Sequence, residues 1–220
     1  PVISNINVNP SSPATYNPLQ TYTFSAICTD NVAVDNVVFW LGSDAYSTTR
    51  SGDVYTVSFP TLGAGTYDYQ FECADTSGNV ELSPLTIYEV NQSTPSLSLV
   101  IAPGTTVSEG TQTTASGSNC PSQLTSACRL YRNNVQVSNP DNQNFLPQGT
   151  YIYIFNTTGN VNYSVVSTTQ TLVVNPVSGG NPSVQFVPPT PNDGSSQTGT
   201  SIPVNVSSSD SVAPHYTFVD

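Results

Sequence analysis

Two short loops carry the residues best suited to metal chemistry: TDNVAVD at 29–35 and ADTSGN at 74–79. Each loop follows a predicted strand of the same unit, so we expect the two loops to meet at one end of it. Carboxylate and amide oxygens are the ligands that Ca²⁺ prefers. The candidate ligands are Asp30, Asn31, Asp35, Asp75 and Asn79. Asp and Asn are also common in turns, because their side chains hydrogen-bond to nearby backbone, and this simpler role accounts for them without a metal.

Acid–base chemistry has few candidates. Asp68 and Glu72 lie on one predicted strand and both face away from its apolar side. Two such carboxylates could act on a sugar, but the polar outer face of a sheet explains them better. His215 has no nucleophile or orienting acid marked by a motif, and we expect an exposed loop residue. The sequence therefore predicts no catalytic residue, no cofactor and no enzymatic activity.

The four cysteines allow three disulfide pairings. They are Cys28, Cys73, Cys120 and Cys128. No pair has the Cys-x-x-Cys spacing, and the single histidine is distant in sequence, so a zinc site has little support. We expect disulfides, which persist outside the reducing cytosol.

Four Asn-x-Ser/Thr sequons could carry N-linked glycan in a secreted chain. The candidate acceptors are Asn91, Asn156, Asn162 and Asn205.

The charge balance excludes several partners. Over 220 residues the net charge is −11, only 8% of residues are charged, and there is no lysine. The basic side chains are Arg50, Arg129 and Arg132. Nucleic acids and anionic bilayers are bound through cationic contacts, so we expect neither nucleic-acid binding nor direct membrane insertion. No apolar run reaches the roughly 18 residues of a membrane span, and no signal peptide opens the chain. We expect a mature or excised piece of an extracellular, cell-surface protein whose anchor lies elsewhere.

Alternation of apolar and polar residues at period two runs through the chain and predicts an all-β protein. In the first unit it predicts strands at 2–8, 21–29, 36–41, 53–59, 66–74 and 84–90. Turn residues separate them at the short intervals typical of a β-sandwich.

An internal repeat fixes the architecture. GTYDYQF begins at residue 65 and GTYIYIF at residue 149, 84 residues later, and five of the seven positions match. In the first copy the tyrosines and Phe71 share a strand face with Cys73, as Tyr22 and Phe24 do with Cys28 on an earlier strand. If both faces point inward, the two cysteines meet across the core.

After the second copy of the repeat, Asn156 follows Phe155, where the first copy has Glu72 and then Cys73. We therefore expect the second unit to lack the cross-core bridge. Cys120 and Cys128, close together in sequence, should then pair locally across a loop.

The predicted domains are 1–91, 92–177 and 178–220. The third opens with a Ser-Gly-Gly linker at 178–180 and contains only the first strands of a further sandwich. We expect either that the native protein continues or that another molecule supplies the remaining strands.

The order Cys28, Trp40, Cys73 resembles the immunoglobulin fold, in which a tryptophan packs on the bridge between the sheets. Segments 30–40, 65–79, 109–163 and 181–194 are similar to the tandem Ig-like repeats of archaeal and bacterial cell-surface proteins. The resemblance implies tandem Ig-like β-sandwiches in a stalk, surface layer or filament, with self-association or neighbouring domains as partners. An adhesin or carbohydrate-binding module with a glycan or cell-surface ligand is the alternative, and an accessory part of a secreted enzyme is a third.

Overall fold

The structure is a computed structural model, and it describes residues 1–125, 127–177, 183–188, 190–192, 194, 196, 198, 199 and 204–209. Ten strands form the first unit: β1 Val2–Asn9, β2 Ala14–Thr15, β3 Tyr22–Thr29, β4 Val34–Leu41, β5 Asp44–Ser47, β6 Thr49–Ser51, β7 Val54–Phe59, β8 Gly65–Asp75, β9 Val80–Leu82 and β10 Thr86–Asn91. The six predicted strands are among them, and the four strands that the alternation did not predict have two to four residues each.

The sheets of the first unit divide its strands as the immunoglobulin fold does. Sheet 1 has the order β1-β3-β7-β6, and sheet 2 has the order β2-β10-β8-β4-β5 with β9 also paired to β8. The seven main strands of this unit are, in chain order, β1, β3, β4, β6, β7, β8 and β10. The first, second, fourth and fifth of them share one sheet, and the third, sixth and seventh share the other, as in the immunoglobulin fold. The chain thus folds as an Ig-like β-sandwich.

Eight strands and a short 3₁₀ helix form the second unit: β11 Ser98–Ala102, β12 Thr106–Ser108, β13 Thr113–Ser118, the helix Ser122–Leu124, β14 Cys128–Arg132, β15 Val135–Val137, β16 Asp141–Gln143, β17 Gly149–Thr157 and β18 Val166–Asn175. Sheet 3 has the order β11-β13-β16 and sheet 4 the order β12-β18-β17-β14-β15. This is the same topology without the fourth main strand. In both units a short strand runs parallel to the last one, β2 to β10 and β12 to β18.

The last two strands, β19 Ser183–Val187 and β20 Asn205–Ser209, form an antiparallel pair. They lie within the predicted third domain, 178–220. The linker at 178–180 and His215 lie outside the described residues.

The core of the first unit is aromatic. On β3 every second residue from Tyr22 to Cys28 is at most 1% exposed, and Phe71 and Cys73 on β8 are fully buried. Both predicted faces therefore point inward, and Cys28 is joined to Cys73 with a Cα–Cα distance of 6.6 Å. Aromatic rings pack against one another in this core; for example, the ring centroids of Phe24 and Phe39 are 4.8 Å apart. Such pairs stabilise a core beyond the area they bury.

Trp40 does not pack on this bridge. Phe39 is fully buried and packs on Phe71 at a ring distance of 5.0 Å, whereas Trp40 lies on the outer face of sheet 2. Because successive strand residues face opposite sides, the inward position of Phe39 forces its neighbour outward. The prediction that Trp40 packs on the bridge, made from the order Cys28, Trp40, Cys73, is therefore wrong.

In the second unit Thr157, not Asn156, takes the register position of Cys73. Thr157 is 1% exposed, and its Oγ1 accepts a hydrogen bond from the Gly159 N–H at 3.1 Å. Cys128, which is paired to Thr157 across the strands, is joined to Cys120 as expected, with a Cα–Cα distance of 6.3 Å. The second core therefore has no bridge between its sheets.

A buried polar network lies in the second core instead. The Asp141 carboxylate is 4% exposed and accepts hydrogen bonds from Arg132 Nη1 at 2.8 Å, Tyr153 Oη at 2.9 Å and Gln143 Nε2 at 2.7 Å. Burial raises the pKa of the Tyr153 phenol to about 12, so at neutral pH the hydroxyl stays protonated and can donate. A buried carboxylate is tolerated when it is paired and hydrogen-bonded in this way.

Candidate functional site

Residues of the second unit close the end of the first. Tyr163 is 6% exposed and meets Tyr16 edge to face, with ring centroids 5.3 Å apart. Leu124 of the short helix is 2% exposed and belongs to the same buried cluster as the core of the first unit. We call this contact the junction: residues 160–164 and the helix 122–124 of the second unit against Tyr16, Gly63, Ala64 and residues 92–94.

Backbone hydrogen bonds tie the segment that connects the units to the loop 160–164. The Ser93 N–H donates to the Asn162 carbonyl at 3.0 Å, and the Ser164 N–H donates to the Ser93 carbonyl at 3.0 Å. Ser93 and Tyr163 thereby form a parallel β-bridge. Gln92 Nε2 adds a bond to the Asn160 carbonyl at 2.9 Å. The connection is therefore held on one side like a strand and cannot act as a free linker.

The Asn162 side chain reaches from the second unit to the first. Its Oδ1 accepts a hydrogen bond from the Ala64 N–H at 2.8 Å. A Cβ added to the neighbouring Gly63 would lie 3.1 Å from this oxygen. The close approach of the two units therefore favours glycine at this position.

The loop that carries these contacts is itself held in place. Asn160 Oδ1 accepts hydrogen bonds from the N–H groups of Asn162 at 2.8 Å and Tyr163 at 3.0 Å. Gly159 has φ +67°, and a Cβ there would overlap the Tyr163 carbonyl. Only glycine suits both conditions.

The local disulfide supports the junction from the other side. Tyr163 Oη donates to Gln123 Oε1 at 3.1 Å, which links the loop to the short helix. Cys120 and Cys128 bracket that helix, and both pack against the buried clusters of both units. Their bridge therefore fixes the element that presents Leu124 to the first unit.

An open cleft of about 420 Å³ runs along the first unit's side of the junction. It is lined by Ala64, Gly65, Thr66, Glu89, Val90, Asn91, Gln92 and Val161. The sequon residue Asn91 is exposed in it.

The other sequons have different surroundings. Asn156 lies on β17 opposite Arg129 and is half-buried. Asn162 is half-buried with its amide oxygen bonded at the junction. Asn205 begins β20. Asn91 is thus the most open of the acceptors whose exposure is described.

The two acidic loops do meet at one end of the first unit, because the Thr76 N–H donates to the Ala33 carbonyl at 3.1 Å. Their carboxylates serve the turns. Asp75 Oδ2 accepts from Asn79 Nδ2 at 2.6 Å, and Oδ1 accepts from the N–H groups of Asn79 and Ser77 at 2.8 Å each. These donors, Asn79 foremost, lower the pKa of the Asp75 carboxyl.

Asp30 Oδ1 accepts from the Val32 N–H at 2.8 Å, while Asn31 and Asp35 are exposed. Within the described part of the chain, no three His, Cys, Asp or Glu side chains are grouped so as to hold a metal ion.

Asp68 and Glu72 lie on the outer face of sheet 2. Trp40 Nε1 donates to Glu72 Oε2 at 3.0 Å. Trp40 is thus the neighbour of Glu72 and not part of the core, and the alternation along β4 is the only signal of this in the sequence.

Comparison with known proteins finds only distant structural neighbours. No protein-family model and no curated protein matches the sequence. The fibronectin(III)-like modules of Clostridium thermocellum CbhA are 15% identical, with a TM-score of 0.35, over 78% of this chain and 95% of theirs. The mouse nectin-like molecule 4 ectodomain, Ig1–Ig3, is 15% identical with a TM-score of 0.35, over 79% of this chain and 64% of its own.

The C-terminal fragment of intimin, solved in complex with the intimin-binding domain of the translocated intimin receptor, is 12% identical with a TM-score of 0.29. The alignment covers 84% of this chain and 67% of that fragment. Scores this low carry no argument, so the fold assignment rests on the sheet topology. In the described residues no helix has both the length and the apolar character to cross a membrane.

Proposed function

We propose that this chain is a non-enzymatic, extracellular structural protein, in which stacked Ig-like sandwiches form a stiff segment of a cell-surface stalk, surface layer or filament. The observation that carries the proposal is the junction. Domains joined by flexible linkers move relative to one another unless the interface is large and hydrophobic. Here Tyr16, Tyr163 and Leu124 are buried between the units, and the connecting segment is hydrogen-bonded to the second unit.

Stiffness is the property that a spacer needs and that a tethered catalytic domain does not require. A stalk holds its load at a fixed reach only if bending between its domains costs free energy. Each hydrogen bond across the junction contributes about 0.5–1.5 kcal/mol net, and opening it would also expose the two tyrosine rings to water.

Two features support an extracellular location. Both disulfides suit an oxidising compartment, and every cysteine of the chain is paired. The scarcity of charge leaves Ser, Thr, Asn and Gln to form most of the wet surface.

In the filament form of this proposal, neighbouring subunits exchange strands. The pair β19–β20, which is a two-stranded sheet in the part of the chain that the structure describes, would accept a strand from a second copy, because a sheet edge can pair with an extended segment.

The junction can be tested with Asn162→Ala in the full chain. This change removes the acceptor of the Ala64 N–H and leaves that donor unpaired in a half-buried place. Such a loss costs about 1–3 kcal/mol, so amide exchange at Ala64 should accelerate roughly 5- to 150-fold. Small-angle scattering should show a wider range of orientations between the units.

Asn156→Ala is the matched control, since it removes an asparagine of the same unit that makes no junction contact in the structure described. It should leave exchange at Ala64 and the scattering curve unchanged. If the unmodified chain already samples many orientations, with an unprotected Ala64 amide, the stiff-segment proposal is wrong.

A further inference from the structure

The outer face of sheet 2 carries a second cleft, of about 210 Å³. One wall is Trp40 on β4. The opposite wall is formed by Leu82 on β9 and by Leu85, just before β10. The floor is the outward side of β8: Asp68, Gln70 and Glu72. We call this the Trp40 cleft.

The strand register sets the order of walls and floor. Trp40 lies opposite Gln70 on one side of β8, and Leu82 lies opposite Glu72 on the other. The strand pairing along this edge of β8 is interrupted between β9 and β10, where Ser83 turns inward and its Oγ accepts from the Phe71 N–H at 2.9 Å. This break between β9 and β10 sets the two leucines on the rim.

The indole of Trp40 is fixed by Glu72. Trp40 reaches diagonally across to β8, and its Nε1 donates to Glu72 Oε2 at 3.0 Å. That bond uses the only hydrogen-bond donor of the indole. What the ring can still offer a ligand is its apolar π surface, which packs well against C–H groups and attracts cations.

The floor of the cleft is rich in hydrogen-bond acceptors. Asp68 and Glu72 are carboxylates, which only accept when ionised. Gln70 Nε2 donates to the Ser83 carbonyl at 2.8 Å, which uses one of its two N–H groups, and the amide oxygen can accept. All three arginines of the chain are elsewhere, Arg50 on β6 and the other two on β14.

The leucines at the rim of the cleft are apolar and exposed to solvent. Leu82 is 51% exposed and Leu85 is 67% exposed. Two aliphatic side chains that face an aromatic ring across a polar floor are a surface for a ligand that has C–H faces and hydroxyl edges.

We infer that the Trp40 cleft binds one unit of a neutral polysaccharide. Its hydroxyls donate to Asp68, Glu72 and the Gln70 oxygen, and a C–H face of the sugar ring packs between Trp40 and Leu85. An anionic polymer would be repelled by the carboxylates, and so would a second copy of a chain whose net charge is −11. This inference goes beyond the structural role proposed above and does not depend on it.

The single tryptophan makes the test direct, because all tryptophan fluorescence comes from the cleft. The full chain, produced without N-glycans, is titrated with neutral hexasaccharides of glucose, mannose and N-acetylglucosamine, with an oligogalacturonate and with an oligolysine. We expect at least one neutral oligosaccharide to shift the emission, with a dissociation constant on the order of millimolar for so small a contact. The oligogalacturonate should have no effect.

Variants separate binding at the cleft from folding. Leu85→Asn changes an exposed rim residue at little cost to the fold and should weaken binding several-fold. Glu72→Gln keeps the shape, removes a charge-assisted acceptor and should weaken binding about tenfold. Trp40→Ala, followed by calorimetry, should abolish it. Phe145→Ala, at a 61% exposed aromatic in the second unit, is the control and should change nothing.

The inference is overturned if no neutral oligosaccharide alters the fluorescence, or if only the oligolysine does, which would make the cleft a cationic-peptide site. It is also overturned if an oligosaccharide binds equally well to the Leu85→Asn and Glu72→Gln variants. The stiffness of the junction would stand in each of these cases.

Discussion

At the scale of single residues, Gly117 determines how the second core is filled. A Cβ added to this glycine of β13 would overlap the Phe155 ring, and Phe155 is 1% exposed. Gly117→Ala should therefore lower the free energy of unfolding of the second unit by about 1–3 kcal/mol, the usual cost of overpacking. Denaturant unfolding followed by tyrosine fluorescence measures it.

Gly104→Ala is the matched control for that substitution. Gly104 lies in the same unit, its added Cβ would meet nothing within 4 Å, and its φ is not in the left-handed region. It should leave stability unchanged or slightly raised, because alanine restricts the unfolded chain. Equal effects of the two substitutions would show that Phe155 has space to move.

At the scale of elements, the two disulfides should stabilise different things. The Cys28–Cys73 bridge spans 45 residues and joins the two sheets, whereas Cys120–Cys128 spans 8 residues beside the junction. In the chain-entropy model these loop lengths correspond to about 4 and about 2.5 kcal/mol. Replacing Cys28 and Cys73 by alanine should destabilise the first unit by roughly the larger amount.

Replacing Cys120 and Cys128 by alanine should have its main effect elsewhere. It should free the helix 122–124 and speed exchange at the junction amides of Ser93 and Ser164 before it lowers global stability. Hydrogen exchange resolved by residue, set beside denaturant unfolding, separates the two. If the second pair of substitutions leaves the junction amides protected, the helix is held by Leu124 packing alone.

The long strands could be predicted from the sequence because burial on one face imposes period two over many residues. Strands such as β5 and β9 were not predicted, because three or four residues are too few to show a period of two. The inward face was predicted correctly for Tyr22 and Phe71. It failed at Trp40, because residue type suggested the core while the alternation that buries Phe39 excluded it.

The junction could not be predicted in the same way. Tyr163 and Asn162 appear in the sequence as a loop and a sequon, and nothing local marks them as partners of Tyr16 and Ala64. Their contact depends on how two complete sandwiches meet, over separations of about a hundred residues or more. The 84-residue repeat places Thr157, not Asn156, at the position of Cys73, and Thr157 holds the turn that precedes the junction loop.

At the scale of the whole molecule, net charge opposes the self-association that the filament form requires. Each chain carries −11 with few cations to form pairs across an interface, so copies repel one another in dilute buffer. Raising the ionic strength from about 0.01 M to about 0.15 M shortens the screening length from about 30 Å to about 8 Å. Association through strand pairing should therefore strengthen as salt is added, whereas contacts made by opposite charges would weaken.

Light scattering of the full chain across this range, at constant protein concentration, distinguishes these cases. A particle mass that stays at 23.3 kDa at every salt concentration would contradict the filament form and leave a stalk segment as the structural role.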